Sequence, residues 1–199
     1  MNALIENARN VVLDAGNVLL TFEPEKYIPR ILTGELARRL KPEMLFGTEM
    51  WPRLDEGTAT EEETARYTAR LYGDESVWPE VLRVIQGYQD HMEMLPLAGM
   101  IPQLHEMGKR VYLLSNYGVE PFTRAEKRFH ALFSQLDGMV ISSREKISKP
   151  EPAIYQLLCS RYGLKPEECV FIDDRAENVE GARAVGMNGI VYTGPEAIL

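Results

Sequence analysis

Short apolar runs alternate with amphipathic helical periods over most of this chain, and the alternation sets the expected fold class. Val11, Val12 and Leu13 form an apolar run that ends at Asp14 and is followed by Gly16-Asn17, a turn signal. This reads as a buried strand whose C-terminal end presents a carboxylate. Similar runs recur at 110–115 (RVYLLS), 139–142 (MVIS), 169–172 (CVFI) and 189–192 (GIVY). They are apolar and β-branched on both faces, as strands of a parallel sheet covered on each side must be. Helical periods fall between them. Leu97, Met100, Ile101, Leu104 and Met107 stop at Gly108; Phe122, Ala125, Phe129, Leu132 and Phe133 form a second stripe. Ile154, Leu157, Leu158 and Tyr162 are closed by Gly163, and Val179, Ala182 and Val185 by Gly186, each glycine standing where a helix commonly ends. Strands alternating with helices of this length predict an α/β fold, a doubly wound (Rossmann-like) parallel sheet.

Residues 23–94 break the alternation and read as all helix. A helical run at 36–40 stops near Pro42, and Thr60 with Glu63 has the spacing of a capping box leading into Tyr67 and Leu71. A longer helix is then expected to carry Val81, Ile85, Tyr88, Met92 and Leu95. A stretch of about 70 residues far exceeds an ordinary crossover connection. The expected organisation is therefore a core of residues 1–22 and 95–199 with a helical cap, 23–94, inserted after the first strand. Trp51, Trp78 and Tyr88 are candidates to line a pocket under it, although helical spacing assigns Trp78 and Tyr88 to core packing.

Composition narrows the function. The 199 residues are 45% hydrophobic and 26% charged, with a net charge of -8, which suits a globular domain and disfavours nucleic-acid or anionic-membrane partners. No apolar run approaches the ~20 residues of a membrane span, and the first ten residues lack the basic-then-apolar order of a secretory signal. A cytoplasmic location is expected, with Cys159 and Cys169 as reduced thiols. His91, His105 and His130 have no Ser or Cys context that suggests a triad. The oligomeric state is left open.

The chemistry gathers at the carboxyl ends of the expected strands, where open α/β sheets bind ligands. Asp14 ends the first strand and Ser115-Asn116 the second; Lys149 follows the third, and Asp173-Asp174 ends the fourth with Asn178 a turn further on. Three carboxylates brought to one sheet edge repel unless a cation sits among them, and hard oxygen donors with some waters suit Mg2+. A lysine and a hydroxyl beside that cation supply donors for a phosphoryl group. One acid nucleophile, one hydroxyl, one lysine and one acidic pair are what transfer through an aspartyl-phosphate requires.

The blocks VVLDAGNVL (11–19), LLSN (113–116), SKPEPAIY (148–155) and VFIDDRAENVEGA (170–182) resemble the four signature motifs of the haloacid dehalogenase-like hydrolases. KPEPAIY and DDRAENVEGA are most similar to bacterial members resembling sugar-phosphate phosphatases such as α-D-glucose-1-phosphate phosphatase. The resemblance implies a first strand lying between the second and fourth, and a helical cap closing over a small phosphorylated metabolite, with a sugar phosphate as one candidate. It implies Asp14 as nucleophile and metal ligand and the Gly16 carbonyl as a second ligand. Ser115, the Asn116 amide and Lys149 would hold the phosphoryl group. Asp173 and Asp174 would complete the metal site, one directly and one through water, supported by Asn17 and Asn178. Asn178 would orient the acidic loop or else be a helix-surface residue; Arg144 and Arg175 would be substrate contacts or plain solvated charges.

One position departs from the family pattern. Most phosphatases of the family carry a second Asp two residues after the nucleophile, and this chain has Gly16. General acid catalysis contributes ~10²–10⁴-fold, so the sequence leaves three explanations: an intrinsically good leaving group, a proton from the cap or a water, or a protein that binds phosphometabolites without turning them over. A haloacid dehalogenase would also lack that Asp, but attack at carbon has no use for the acidic pair.

Overall fold

A computed structural model describes residues 1–198. Five strands, β1 (Asn10–Leu13), β2 (Arg110–Ser115), β3 (Gly138–Ile141), β4 (Cys169–Asp173) and β5 (Asn188–Val191), form one sheet. Their order is β3-β2-β1-β4-β5 and every pairing is parallel. The first strand is central: Leu13 is opposite both Leu113 and Ile172. Each apolar run predicted its strand to within one residue, because a strand buried on both faces has no polar positions to blur its ends.

In chain order, α1 (Ala3–Asn7) precedes β1. Between β1 and β2 lie α2 (Pro24–Ile31), α3 (Gly34–Arg39), α4 (Met50–Glu56), α5 (Glu61–Tyr72), α6 (Trp78–Gly87) and α7 (Ile101–Glu106). Helices α8 (Val119–Arg128) and α9 (His130–Phe133) join β2 to β3; α10 (Ser142–Glu145) and α11 (Pro152–Tyr162) join β3 to β4; α12 (Ala176–Ala184) joins β4 to β5. No helix among the described residues is long and apolar enough to cross a membrane.

The two-residue period of the strands splits the core into two layers. Val11, Leu13, Val111, Leu113, Val170 and Ile172 face one side, where Ile101, Leu104, Phe122 and Ala125 cover them. Val12, Tyr112, Leu114, Val140 and Phe171 face the other, against Ile154, Tyr155, Leu158 and Ala182 of α11 and α12. The first layer also takes in Leu19, Leu20, Tyr27, Ile28, Val84, Ile85 and Met92, so the helical segment adds its apolar stripes to the sheet's own.

Between β1 and β2 the structure corrects two expectations. The long helix does not reach Leu95. It ends at Gly87, a 3-10 turn follows at Tyr88–His91, and Met92 is extended. The chain returns to the sheet by pairing with the segment that left it: Thr21 N–H donates to the Glu93 carbonyl and Leu95 N–H to the Leu19 carbonyl, both at 2.9 Å. Those strand-like bonds outweigh a helical period that side chains alone would support. Trp78 is not core packing either; it is half-buried with the Arg66 guanidinium 3.9 Å above its ring. The capping box forms as expected, with Glu63 N–H donating to Thr60 Oγ1 at 3.1 Å and Thr60 N–H to Glu63 Oε2 at 2.8 Å. The apolar stripe of 122–133 is two helices, broken at Phe129 with φ -105° and ψ 34°.

Candidate active site

Because all five strands run in parallel, their carboxyl ends share one edge, and the turns leaving them meet there. Asp14 follows β1, its N–H continuing the ladder to the Ile172 carbonyl at 3.0 Å. Ser115 is the last residue of β2, Asp173 the last of β4, and Lys149 lies in the loop between α10 and α11. Lys149 Nζ is 2.8 Å from Asp14 Oδ1 and 2.6 Å from Asp173 Oδ2. The contact to Asp173 is a directed hydrogen bond; the one to Asp14 is an ion pair off the hydrogen-bond direction, leaving Asp14 Oδ1 without a directed donor.

The two members of the acidic pair are used differently. Asp173 is fully buried, and its Oδ1 accepts from the Arg175 N–H at 2.8 Å while Asn178 Nδ2 lies 3.1 Å from both oxygens. Asp174 is half-buried and opens onto the cavity, holding one donor, Asn17 Nδ2 at 3.0 Å. Asn17 can serve there because it sits at φ 55°, a conformation Asn tolerates; its Oδ1 also accepts from the Phe22 N–H at 3.0 Å. Asn116 braces the lysine loop by a reciprocal pair, Nδ2 to the Lys149 carbonyl at 2.9 Å and Lys149 N–H to Oδ1 at 2.8 Å. One N–H of its side-chain amide and its Oδ1 are thereby committed to the lysine loop.

Burial governs the electrostatics. Desolvation pushes the Asp14 carboxyl up to about 6, against the Lys149 charge and with help from Asp173. Burial alone would lower the Lys149 ammonium, but Asp14 and Asp173 outweigh it and raise it. Burial also raises Asp174 despite the Asn17 bond. Asp14, Asp173 and Asp174 each offer one carboxylate oxygen within 4.8 Å of the others. Three such groups against one ammonium leave an excess of two negative charges. The donor set, hard oxygens in excess of their counter-charge, fits a divalent cation.

A family model for haloacid dehalogenase-like hydrolases matches residues 8–186. The chain belongs to that family. A sesquiterpene phosphatase of Aspergillus oryzae is 29% identical over 49% of this chain and 49% of its own length. An (S)-2-haloacid dehalogenase of Burkholderia cepacia is 31% identical over 54% and 46%. The chain thus spans about half the length of these curated relatives. A solved HAD-family enzyme of Bacteroides thetaiotaomicron, a variant in complex with magnesium and inorganic phosphate, superposes with a TM-score of 0.72 at 19% identity, covering 94% of this chain and 95% of that one; at that identity the likeness is one of fold.

In this family member the site opens into a cavity of about 590 Å³ whose floor is Asp14, Gly16, Asn17, Ser115, Asn116, Lys149 and Asp174. Its roof comes from the helical segment, and most of that roof was invisible in the sequence. Phe46 and Phe22 meet edge to face with centroids 5.2 Å apart, and Phe46 lies 4.5 Å from Trp51. Tyr88 closes the group, 5.8 Å from Phe22. Of the three aromatic candidates Trp51 and Tyr88 line the cavity and Trp78 does not. Asp55 of α4 also lines it, a residue that no sequence pattern singles out. Arg175 stands at the mouth but pairs with Glu177. Arg144 is elsewhere, bound to Glu126 at 3.1 Å. Asn178 is buried against Asp173 and is no helix-surface residue.

Proposed function

We propose that this hydrolase is a magnesium-dependent phosphomonoesterase acting on a small phosphorylated metabolite through an aspartyl-phosphate on Asp14. The observation that carries the proposal is a buried carboxylate opening onto the cavity between a lysine ammonium, a serine hydroxyl and a second carboxylate, Asp174. In this reading Asp14 attacks phosphorus, and Ser115 Oγ, the Asn116 backbone N–H and Lys149 Nζ take the phosphoryl oxygens. Asp14, the Gly16 carbonyl and Asp174 would hold magnesium, with Asp173 behind them through water, since Asp173 is already occupied by Lys149, Arg175 and Asn178. The metal would neutralise charge on the transferring group. The solved HAD-family enzyme that shares this fold holds magnesium and inorganic phosphate, which supports the same ligands here. Residues 23–94 act as a cap that shields the cavity from water, and the paired segments 19–21 and 93–95 are its two attachments. The two free thiols suit a cytoplasmic metabolite enzyme.

The dehalogenase relative favours a second reading, attack at carbon, but that chemistry leaves the Asp174 carboxylate without a task. The test is release of phosphate from an aryl phosphate with and without magnesium, for the native chain and Asp14→Asn. Turnover should require the metal and fall by roughly 10³-fold or more in the variant, since the nucleophile acts as one unit with its partners. Equal activity in both proteins would end the proposal. Halide release from a 2-haloacid, with no phosphate release, would move the assignment to carbon–halogen cleavage.

A further inference from the structure

Gly16 leaves the leaving-group proton without a source beside the nucleophile. The titratable or charged groups lining the cavity are Asp14, Asp55, Tyr88, Tyr117, Lys149, Asp174 and Arg175. Asp14 is taken as nucleophile. Lys149 is locked between two carboxylates, and Asp174 is bound to Asn17 and assigned to the metal. Arg175 does not give up a proton at accessible pH. Tyr88 and Tyr117 are deeply buried, the Tyr117 hydroxyl donates to Met92 Sδ at 3.6 Å, and both are pushed above the ordinary tyrosine range, first by burial. Asp55 remains.

Its position is fixed from the core side. Ser142 Oγ donates to the Asp55 carbonyl and Lys146 Nζ to the Gly57 carbonyl. Gly57 turns the chain out of α4 at φ 72°, and a Cβ there would meet Ser143 O at 2.9 Å. The end of α4 therefore sits directly on α10. Asp55 shares the cavity lining with the aromatic group of Phe22, Phe46, Trp51 and Tyr88. A carboxyl at the carbonyl end of a helix, in a cavity that also holds Asp14, has its acid form favoured. Burial, then the Asp14 charge, raise the Asp55 carboxyl well above the usual carboxylate range, against the nearby Gly118 N–H and the Lys149 and Arg175 charges.

We propose that Asp55 is the general acid of this enzyme, delivering from α4 the proton that the residue two after the nucleophile does not supply. The proposal rests on the phosphomonoesterase reading. As the bond from phosphorus to the leaving oxygen breaks, its electron pair stays on that oxygen and takes the Asp55 carboxyl proton, leaving a carboxylate. That carboxylate then removes a proton from the water that attacks the aspartyl-phosphate at phosphorus. Inorganic phosphate departs, Asp14 is regenerated as carboxylate, and Asp55 is again a carboxylic acid.

The test uses aryl phosphates of one shape and different leaving-group basicity, dinitrophenyl, nitrophenyl and phenyl phosphate, with magnesium. Asp55→Asn should lose ~10²–10⁴-fold on phenyl phosphate while keeping dinitrophenyl phosphate turnover within a few-fold, because that leaving group needs no proton. The native enzyme should lose kcat on phenyl phosphate as pH rises and Asp55 ionises, and the variant should lack that alkaline limb. Among the described residues beyond its chain neighbours, only the Phe22 Cβ, at 4.0 Å, lies near a Cβ built on Gly16, so Gly16→Asp should restore phenyl phosphate turnover to the Asp55→Asn protein. Retention of the thermal shift given by magnesium plus inorganic phosphate checks that the variant's site is folded. A uniform loss on all three esters without rescue would make Asp55 structural. An unchanged profile would overturn the proposal while leaving the phosphomonoesterase standing; no turnover of any ester by the native enzyme would overturn both.

Discussion

At the scale of single residues, the acidic pair shows how identical side chains take different tasks from different surroundings. Asp173 is saturated with donors while Asp174 keeps an open face. Asn178 matters through the first of them. Asn178→Ala removes the donor lying 3.1 Å from both Asp173 oxygens and leaves a buried carboxylate short of partners, a loss of about 1–3 kcal/mol. Urea unfolding should report that cost, and a fall in turnover should accompany it as Asp173 reorients Lys149. Asp14, Ser115, Lys149 and the pair were legible in the sequence because each ends or follows an apolar run, and a parallel sheet puts such ends together. Asp55 was not legible: between Leu54 and Glu56 in a charged helix it looks like any solvated acid, and only the docking of α4 onto α10 turns it inward.

At the scale of elements, the close approach of α12 to the lysine loop holds the site together. A Cβ on Gly181 would lie 2.6 Å from the Pro150 carbonyl and 2.9 Å from the Tyr155 hydroxyl, which itself donates to the Asn178 carbonyl at 2.7 Å. Gly181→Ala should therefore cost about 1–3 kcal/mol, as overpacking of a tight contact does. It should also lower activity by shifting Lys149; thermal melts and phosphate release measured together distinguish the two effects. Unchanged stability would mean that α12 can slide away freely. Helix existence here was readable from apolar stripes and terminal glycines, whereas extent was not always so. Between Gly87 and Leu95 the side-chain period continues helical, yet backbone pairing of 93–95 with 19–21 takes over.

At the scale of the whole molecule, folding concentrates negative charge at one sheet edge, and a cation bound there should stabilise the fold by linkage. Magnesium at 100 times its Kd should add about 2.7 kcal/mol, seen as a rise in melting temperature that chelation reverses and Asp174→Asn abolishes. A melting temperature indifferent to magnesium in the native chain would count against the metal site. What the sequence by itself determined is the parallel sheet, its central first strand by family resemblance, the mostly helical stretch between the first two strands and the residues that floor the cavity. These follow from local hydrophobic period and from residues that sit at strand ends. Tertiary structure alone decided the roof: which aromatic rings face the cavity, which carboxylate of the pair opens to it, and where Asp55 points. A helix presents several faces, and the one turned toward a site is chosen by contacts with residues far away in the chain, such as Ser142 and Lys146, which no local pattern encodes.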